Sequence, residues 1–142
     1  MIVVDVNVLI AAFRQDHPHH DVALPWLSQA LSGSDDIVVP DAVWTGFLRI
    51  VTLPGAFRVP SRLDEASAFI HDVVSAGAYL TAAPLIDGAT HLVALCIETQ
   101  ATGNLVPDAY IASVALGYDC PVATFDRDFR RFDGLRIITP AA

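Results

Sequence analysis

Short apolar runs in this chain alternate with stretches whose apolar residues recur every three to four positions. That alternation predicts strands and helices in turn, and so a mostly parallel sheet covered on both faces by helices. The first run, Ile2-Val3-Val4, predicts a strand over about 2–6. A helix from about 7 carries Val8, Leu9, Ala12 and Phe13 until Asp16-His17-Pro18 breaks it. The next helix presents Val22, Trp26, Leu27 and Leu31 and ends near Gly33. A second strand over about 36–39 leads into a third helix, opened by Pro40-Asp41 and stopped by Pro54-Gly55. Ser61 followed by Asp64 reads as a capping box for a helix to about 76. Tyr79 to Ala82 reads as a third strand, and Asp87 as the cap of a helix over about 88–102. Pro107 fits the first turn of the last helix, which ends at Gly117. Strands over about 121–125 and Arg136 to Thr139 complete the set. Nothing along the chain reads as a linker or an internal repeat, so we expect one domain over residues 1–142.

Composition narrows the chemistry. Just over half of the 142 residues are apolar, enough for a real core. No apolar run is long enough to span a membrane, and the start lacks the pattern of a signal peptide, so a cytoplasmic protein is expected. Cys96 and Cys120 stand far apart without metal-ligand spacing and read as small buried hydrophobes. The net charge is −8, and every basic residue is an arginine. The missing lysine excludes a Walker A loop and a Schiff-base enzyme. It also disfavours phosphatases and receiver domains that set a lysine beside their carboxylates. Acidity argues against simple nucleic-acid binding, although cations can bridge carboxylates to phosphates. Arg14, Arg49, Arg127, Arg130 and Arg131 can still gather on one face.

The candidate chemistry lies at strand ends. In open α/β sheets, ligands bind beyond the carboxyl ends of parallel strands, near a topological switch point. Asp5 follows the first strand and Asp126 the fourth, while Asp108 stands at a helix start. Each has a plain alternative: Asp5 as a helix N-cap, Asp126 as a turn residue, and Asp108 as a first-turn acid favoured by the helix dipole. Asp128 is a weaker candidate, because a second acid two residues on often faces solvent. Thr124 suits either a polar contact in the site or an ordinary strand position. Two carboxylates about 4 Å apart repel by roughly 4 kcal/mol at an effective dielectric near 20. Three together need a proton or a cation, and oxygen-only ligands suit Mg²⁺ or Mn²⁺. His17, His19 and His20 occupy a Pro-broken loop with no obvious third ligand, and His20 reads as packing at a helix start. His71 and His91 read as helix residues at the surface or the edge of the core.

Four segments in this order resemble the PIN-domain endoribonucleases, and more closely the VapC toxins of bacterial toxin–antitoxin pairs. They are Val4-Asp5-Val6-Asn7-Val8-Leu9, Phe47-Leu48-Arg49-Ile50-Val51-Thr52, Gly103-Asn104-Leu105-Val106-Pro107-Asp108-Ala109 and Ala123-Thr124-Phe125-Asp126-Arg127-Asp128-Phe129. The resemblance implies a three-layer PIN-like α/β fold, with a central, mostly parallel sheet of four to five strands flanked by helices. It implies hydrolysis of RNA phosphodiester bonds with Mg²⁺, or Mn²⁺ as substitute, held by Asp5, Asp108 and Asp126 with Asp128 as auxiliary. Asn7 and Thr124 would orient acids or waters, and Arg127 and Arg49 would contact RNA, a helix-surface role being open for Arg49. The implied partners are an RNA substrate such as tRNA or rRNA, a VapB-like antitoxin and a second copy of the chain. Trp26 and Leu27 are candidates for that homodimer contact, or else members of the monomer core.

The chain departs from the family pattern at Gly46, where many PIN domains carry a second acid, usually Glu. Asp41 is no simple substitute, since five residues of helix leave it roughly 140° away around the axis. The departure leaves the number of metals open. It also keeps a second reading alive, a catalytically weak PIN-like module that binds RNA or protein.

Overall fold

The computed structural model describes all 142 residues. Four short strands, β1 (Ile2–Val4), β2 (Ile37–Val38), β3 (Val122–Ala123) and β4 (Ile137–Ile138), form one sheet in the order β2-β1-β3-β4. Every pairing is parallel, with Val3 opposite both Val38 and Val122, and Val122 opposite Ile137. Val3, Val4, Ile37, Val38, Val122 and Ala123 are buried. A parallel sheet covered on both faces needs such continuous β-branched runs, because neither face can take a polar residue.

Six helices cover the sheet: α1 (Val6–Phe13), α2 (His20–Leu31), α3 (Asp41–Val51), α4 (Leu63–Val74), α5 (Gly88–Thr99) and α6 (Val106–Gly117). Helix α1 buries Val8, Leu9, Ile10, Ala11 and Ala12 in succession, so it is apolar nearly all round and lies within the core. Phe13, Phe47 and Phe69 meet with ring centroids 5.3–5.4 Å apart and tie α1 to α3 and α4. The chain leaves β1 to build β2 on one side, then crosses back to build β3 on the other. The switch point therefore lies between β1 and β3, whose carboxyl ends carry Asp5 and Thr124.

Several local expectations need correction. Strand β1 stops at Val4, because α1 begins at Val6 and leaves Asp5 as the hinge between them. The strand expected over Tyr79 to Ala82 is a single parallel bridge, Ile37 to Tyr79. Only the Ile37 N–H to Ala78 and Leu80 N–H to Ile37 hydrogen bonds hold it, and Pro40 and Pro84 interrupt any longer ladder. Arg62, not Ser61, is the N-cap of α4, and the acid that accepts its backbone N–H is Glu65 rather than Asp64. The Ser61 hydroxyl instead accepts a hydrogen bond from Arg14. Asp87 precedes α5 in a left-handed conformation and makes no capping bond. Helix α5 ends at Thr99, short of the expected end near 102, with Gln100 taking the left-handed position.

Leu27 is buried in the core and Trp26 packs against it, so the monomer claims both. The exposed apolar face is elsewhere. Helix α5 buries only Leu95 and leaves Val93 56 % and Ile97 74 % exposed. Cys96 and Cys120 are free thiols, the latter buried. No helix is long and apolar enough to cross a membrane.

Candidate active site

Asp5 sits at the N-cap of α1, yet its side chain makes no capping bond. It turns to the neighbouring strand end, where Oδ2 accepts a 2.6 Å hydrogen bond from Thr124 Oγ1. Thr124 is itself buried. Its oxygen also accepts from Asn7 Nδ2 at 3.1 Å and from the Asp126 backbone N–H at 2.9 Å. One donor and two acceptor positions are all a hydroxyl has, so this one is fully used and its direction is set. The Asn7 amide is set in the same way, with Oδ1 accepting the Phe125 N–H at 3.2 Å while Nδ2 donates to Thr124. The loop leaving β3 is thus bonded to the loop leaving β1 by side chains more than a hundred residues apart.

Asp5 Oδ1 is buried with no hydrogen-bond partner. A buried carboxylate oxygen left bare is costly. Burial is the main reason the Asp5 carboxyl is pushed up to about 7; the Thr124 bond opposes that rise, and the charges of Asp108 and Asp126 add to it. Asp108, half-buried in the first turn of α6, is raised to about 6 by burial and then by Asp126 and Asp128, with Arg131 acting against the rise. Asp108 and Asp126 are thus close enough to Asp5, and Asp126 and Asp128 close enough to Asp108, for their charges to be felt. Asp126 also serves its turn, since Oδ1 accepts the Asp128 N–H at 2.8 Å and caps the 3₁₀ turn Arg127–Arg131. As placed, no three His, Cys, Asp or Glu side chains close around a common point tightly enough to hold an ion.

The other candidates divide. Arg131 reaches the cluster, donating to the Asp128 carbonyl at 3.2 Å. Arg14 does not, because Asp16, Ser61 and the Val59 carbonyl hold its guanidinium over the Phe57 ring. Arg127 and Arg49 are exposed. Asp41 acts on Tyr110, not on the acid cluster, in keeping with its position around the helix. Gly46 faces Val6, and a Cβ there would stand 3.6 Å from Val6 Cγ2, an ordinary contact beside Asp5. His20 Nδ1 lies 3.0 Å from the Ala11 carbonyl, the expected helix-start packing, while His71 and His91 are exposed. The sequence reading missed the placement of His19, whose ring stacks on Phe125. The only hint was an aromatic residue between Thr124 and Asp126.

The PIN domain model matches residues 2–135. Ribonuclease VapC31 of Mycobacterium tuberculosis is 42% identical over 143 residues, covering 99% of each chain. The chain belongs to the VapC ribonucleases of the PIN-domain family. Solved VapC structures share its fold at low identity. Mycobacterium tuberculosis VapC20, described as a sarcin-ricin loop cleaving toxin, superposes with a TM-score of 0.74 at 16% identity, covering 99% of this chain and 100% of that one. VapBC2 from Rickettsia felis, bound to a DNA fragment from its promoter, superposes at 0.71 and 17%, with 99% and 100% covered. Within this VapC chain, the acids at the ends of β1 and β3 and at the start of α6 are the ones that the PIN resemblance singles out.

Proposed function

We propose that this chain is the toxin of a type II toxin–antitoxin pair, a ribonuclease that hydrolyses RNA phosphodiester bonds with Mg²⁺, or Mn²⁺ in its place. The observation that carries the reading is Asp5 Oδ1, a buried oxygen without a partner on a carboxyl that feels the charges of Asp108 and Asp126. The donors fit a hard divalent cation, being all oxygen, with neither cysteine nor histidine among them. Asp5 and Asp108 would be its principal ligands, Asp126 would complete the set directly or through water, and Asp128 would assist. When bound, the cation supplies water activation and neutralises charge on the phosphate.

The chain's own groups do the rest. Thr124 holds Asp5 Oδ2, which leaves Oδ1 as the free oxygen. Asn7 keeps Thr124 in place and ties the Phe125 backbone to α1. Arg131, paired with Asp128 and bonded to its carbonyl, offsets acid charge beside Asp108. Arg127 and Arg49 are available to the RNA backbone. The partners are RNA, a VapB-like antitoxin and a second copy of this chain in a cytoplasmic setting. The VapBC complex with the same fold supports the antitoxin. A non-catalytic module would have no use for a bare oxygen held so firmly.

The test is metal-stripped protein incubated with total cellular RNA, with and without Mg²⁺ or Mn²⁺, beside Asp5→Asn. Discrete cleavage that needs metal and disappears in the variant is expected. Absence of cleavage by folded, antitoxin-free protein with either ion would overturn the reading in favour of the binding module.

A further inference from the structure

A pair of stacked rings borders the acid cluster. The His19 and Phe125 rings lie 4.5 Å apart between centroids and only 12° from parallel. Phe125 is the residue between Thr124 and Asp126, and Asn7 holds its backbone N–H. Its ring is therefore rooted in the network that orients Asp5. His19 is exposed. The loop that carries it is pinned on both sides. His17 Nδ1 accepts the His19 backbone N–H at 3.1 Å, and His20 Nδ1 meets the Ala11 carbonyl. The His17 ring continues the row, 5.7 Å from His19 and tilted by 43°.

Charge makes this row matter. The protein carries −8 and has only eight arginines as fixed cations. Four of them, Arg14, Arg62, Arg131 and Arg136, are engaged in ion pairs. An RNA strand approaching an acidic site gains little from general electrostatic attraction. Unpaired bases can instead bind by stacking on aromatic and histidine rings, which tolerates any sequence. A held plane beside the reacting carboxylates supplies that interaction at little ordering cost.

We infer that the His19–Phe125 stack is a base-binding subsite, on which an unpaired nucleobase of the RNA next to the cleaved phosphate lies. The inference rests on the ribonuclease reading and adds to it the ring pair that holds an unpaired base. The subsite acts in binding, and the chemistry stays with the carboxylates.

The test uses full-length wild type, His19→Ala, His19→Tyr and Phe125→Leu with a fluorescein-labelled single-stranded RNA of mixed sequence. Anisotropy in metal-free buffer gives the Kd, and single-turnover cleavage in Mg²⁺ gives the rate at saturation. His19→Ala is expected to raise Kd roughly tenfold or more, while His19→Tyr, which keeps the plane, stays within about threefold of wild type. Phe125→Leu is expected to weaken binding in the same direction. The same RNA annealed into a duplex is expected to bind all four proteins alike. A His19→Ala protein that cleaves and binds single strands as wild type does overturns the subsite and leaves the ribonuclease reading standing. So does one that only melts earlier. Wild type that neither binds nor cleaves RNA overturns both.

Discussion

Thr124 Oγ1 donates a 2.6 Å hydrogen bond to Asp5 Oδ2 across 119 residues of sequence. The bond joins the carboxyl ends of β1 and β3 at the switch point of the sheet. It occupies one oxygen of Asp5 and leaves the other bare. Thr124→Val keeps the shape but removes the hydroxyl, stranding Asp5 Oδ2, Asn7 Nδ2 and the Asp126 N–H together. The variant is expected to lose about 1–3 kcal/mol of stability in urea unfolding. Its RNA cleavage should fall by roughly 10- to 100-fold, the usual cost of removing a group that orients a metal ligand. Thr124→Ser should retain most of both.

The raised Asp5 carboxyl has a consequence for metal-free protein. Its pKa is about 7 when folded against 3.8 as the ordinary value. A group raised on folding adds stability that is complete below the unfolded pKa and is lost as pH rises through the folded one. Stability of the metal-free protein should therefore drain away between about pH 4 and pH 7, by up to about 4 kcal/mol from Asp5 alone. Asp108, raised to about 6, acts in the same direction. Asp16 and Asp64 are lowered by their arginine partners and work the other way, so the informative curve is wild type minus Asp5→Asn. Chemical unfolding in EDTA across this range should show the difference shrinking as pH rises, and a difference that grows would contradict the burial argument.

Much of this site is legible in the sequence because it depends on local pattern. Three β-branched residues ending in Asp5, and a second apolar run leading to Asp126, are enough by themselves to put two acids at strand ends, although that strand stops at Ala123 and Thr124 stands at its end. Asp108 is legible for the same reason, since Pro107 marks a helix start. The partners of these groups are not local. Nothing in the residues around Thr124 says that its hydroxyl would be saturated by Asp5, Asn7 and Asp126. The fate of Arg14 was equally hidden, because its partners Val59 and Ser61 come from the far side of α3. The Tyr79 segment failed for another reason. Its pattern is that of a strand, but an edge partner as short as β2, followed by Pro40, offers too few hydrogen bonds to extend it.

Gly46 is an open position rather than a forced one. A Cβ there meets only Val6, at an ordinary distance. Gly46→Glu should fold, the gain of about 0.5–1 kcal/mol from replacing a glycine within a helix being opposed in metal-free protein by repulsion from the neighbouring acids. It would also bring a further carboxylate to the neighbourhood of Asp5. Calorimetric titration with Mn²⁺ is expected to show affinity tightened by roughly tenfold through the added ligand charge. Unchanged affinity would mean that the new acid points away from the site.

The proposed homodimer can be tested at the exposed apolar face of α5. Ile97 is 74 % exposed, so Ile97→Glu should change monomer stability by no more than about 0.5 kcal/mol. Light scattering coupled to size exclusion is expected to show a dimer for wild type and a monomer for the variant. A variant with the wild-type mass would move the interface elsewhere.

The unpartnered oxygen of Asp5 is tested most directly by titrating metal-free wild type and Asp5→Asn with Mn²⁺ in a calorimeter at neutral pH. Wild type should bind the ion and release protons as it does so, because Asp5, with a pKa of about 7, is about half protonated at that pH until a cation displaces the proton. Asp5→Asn, equal in size but unable to carry the charge, should bind far more weakly and release fewer protons. Equal affinity and equal proton release in the two proteins would contradict the assignment of Asp5 as a ligand.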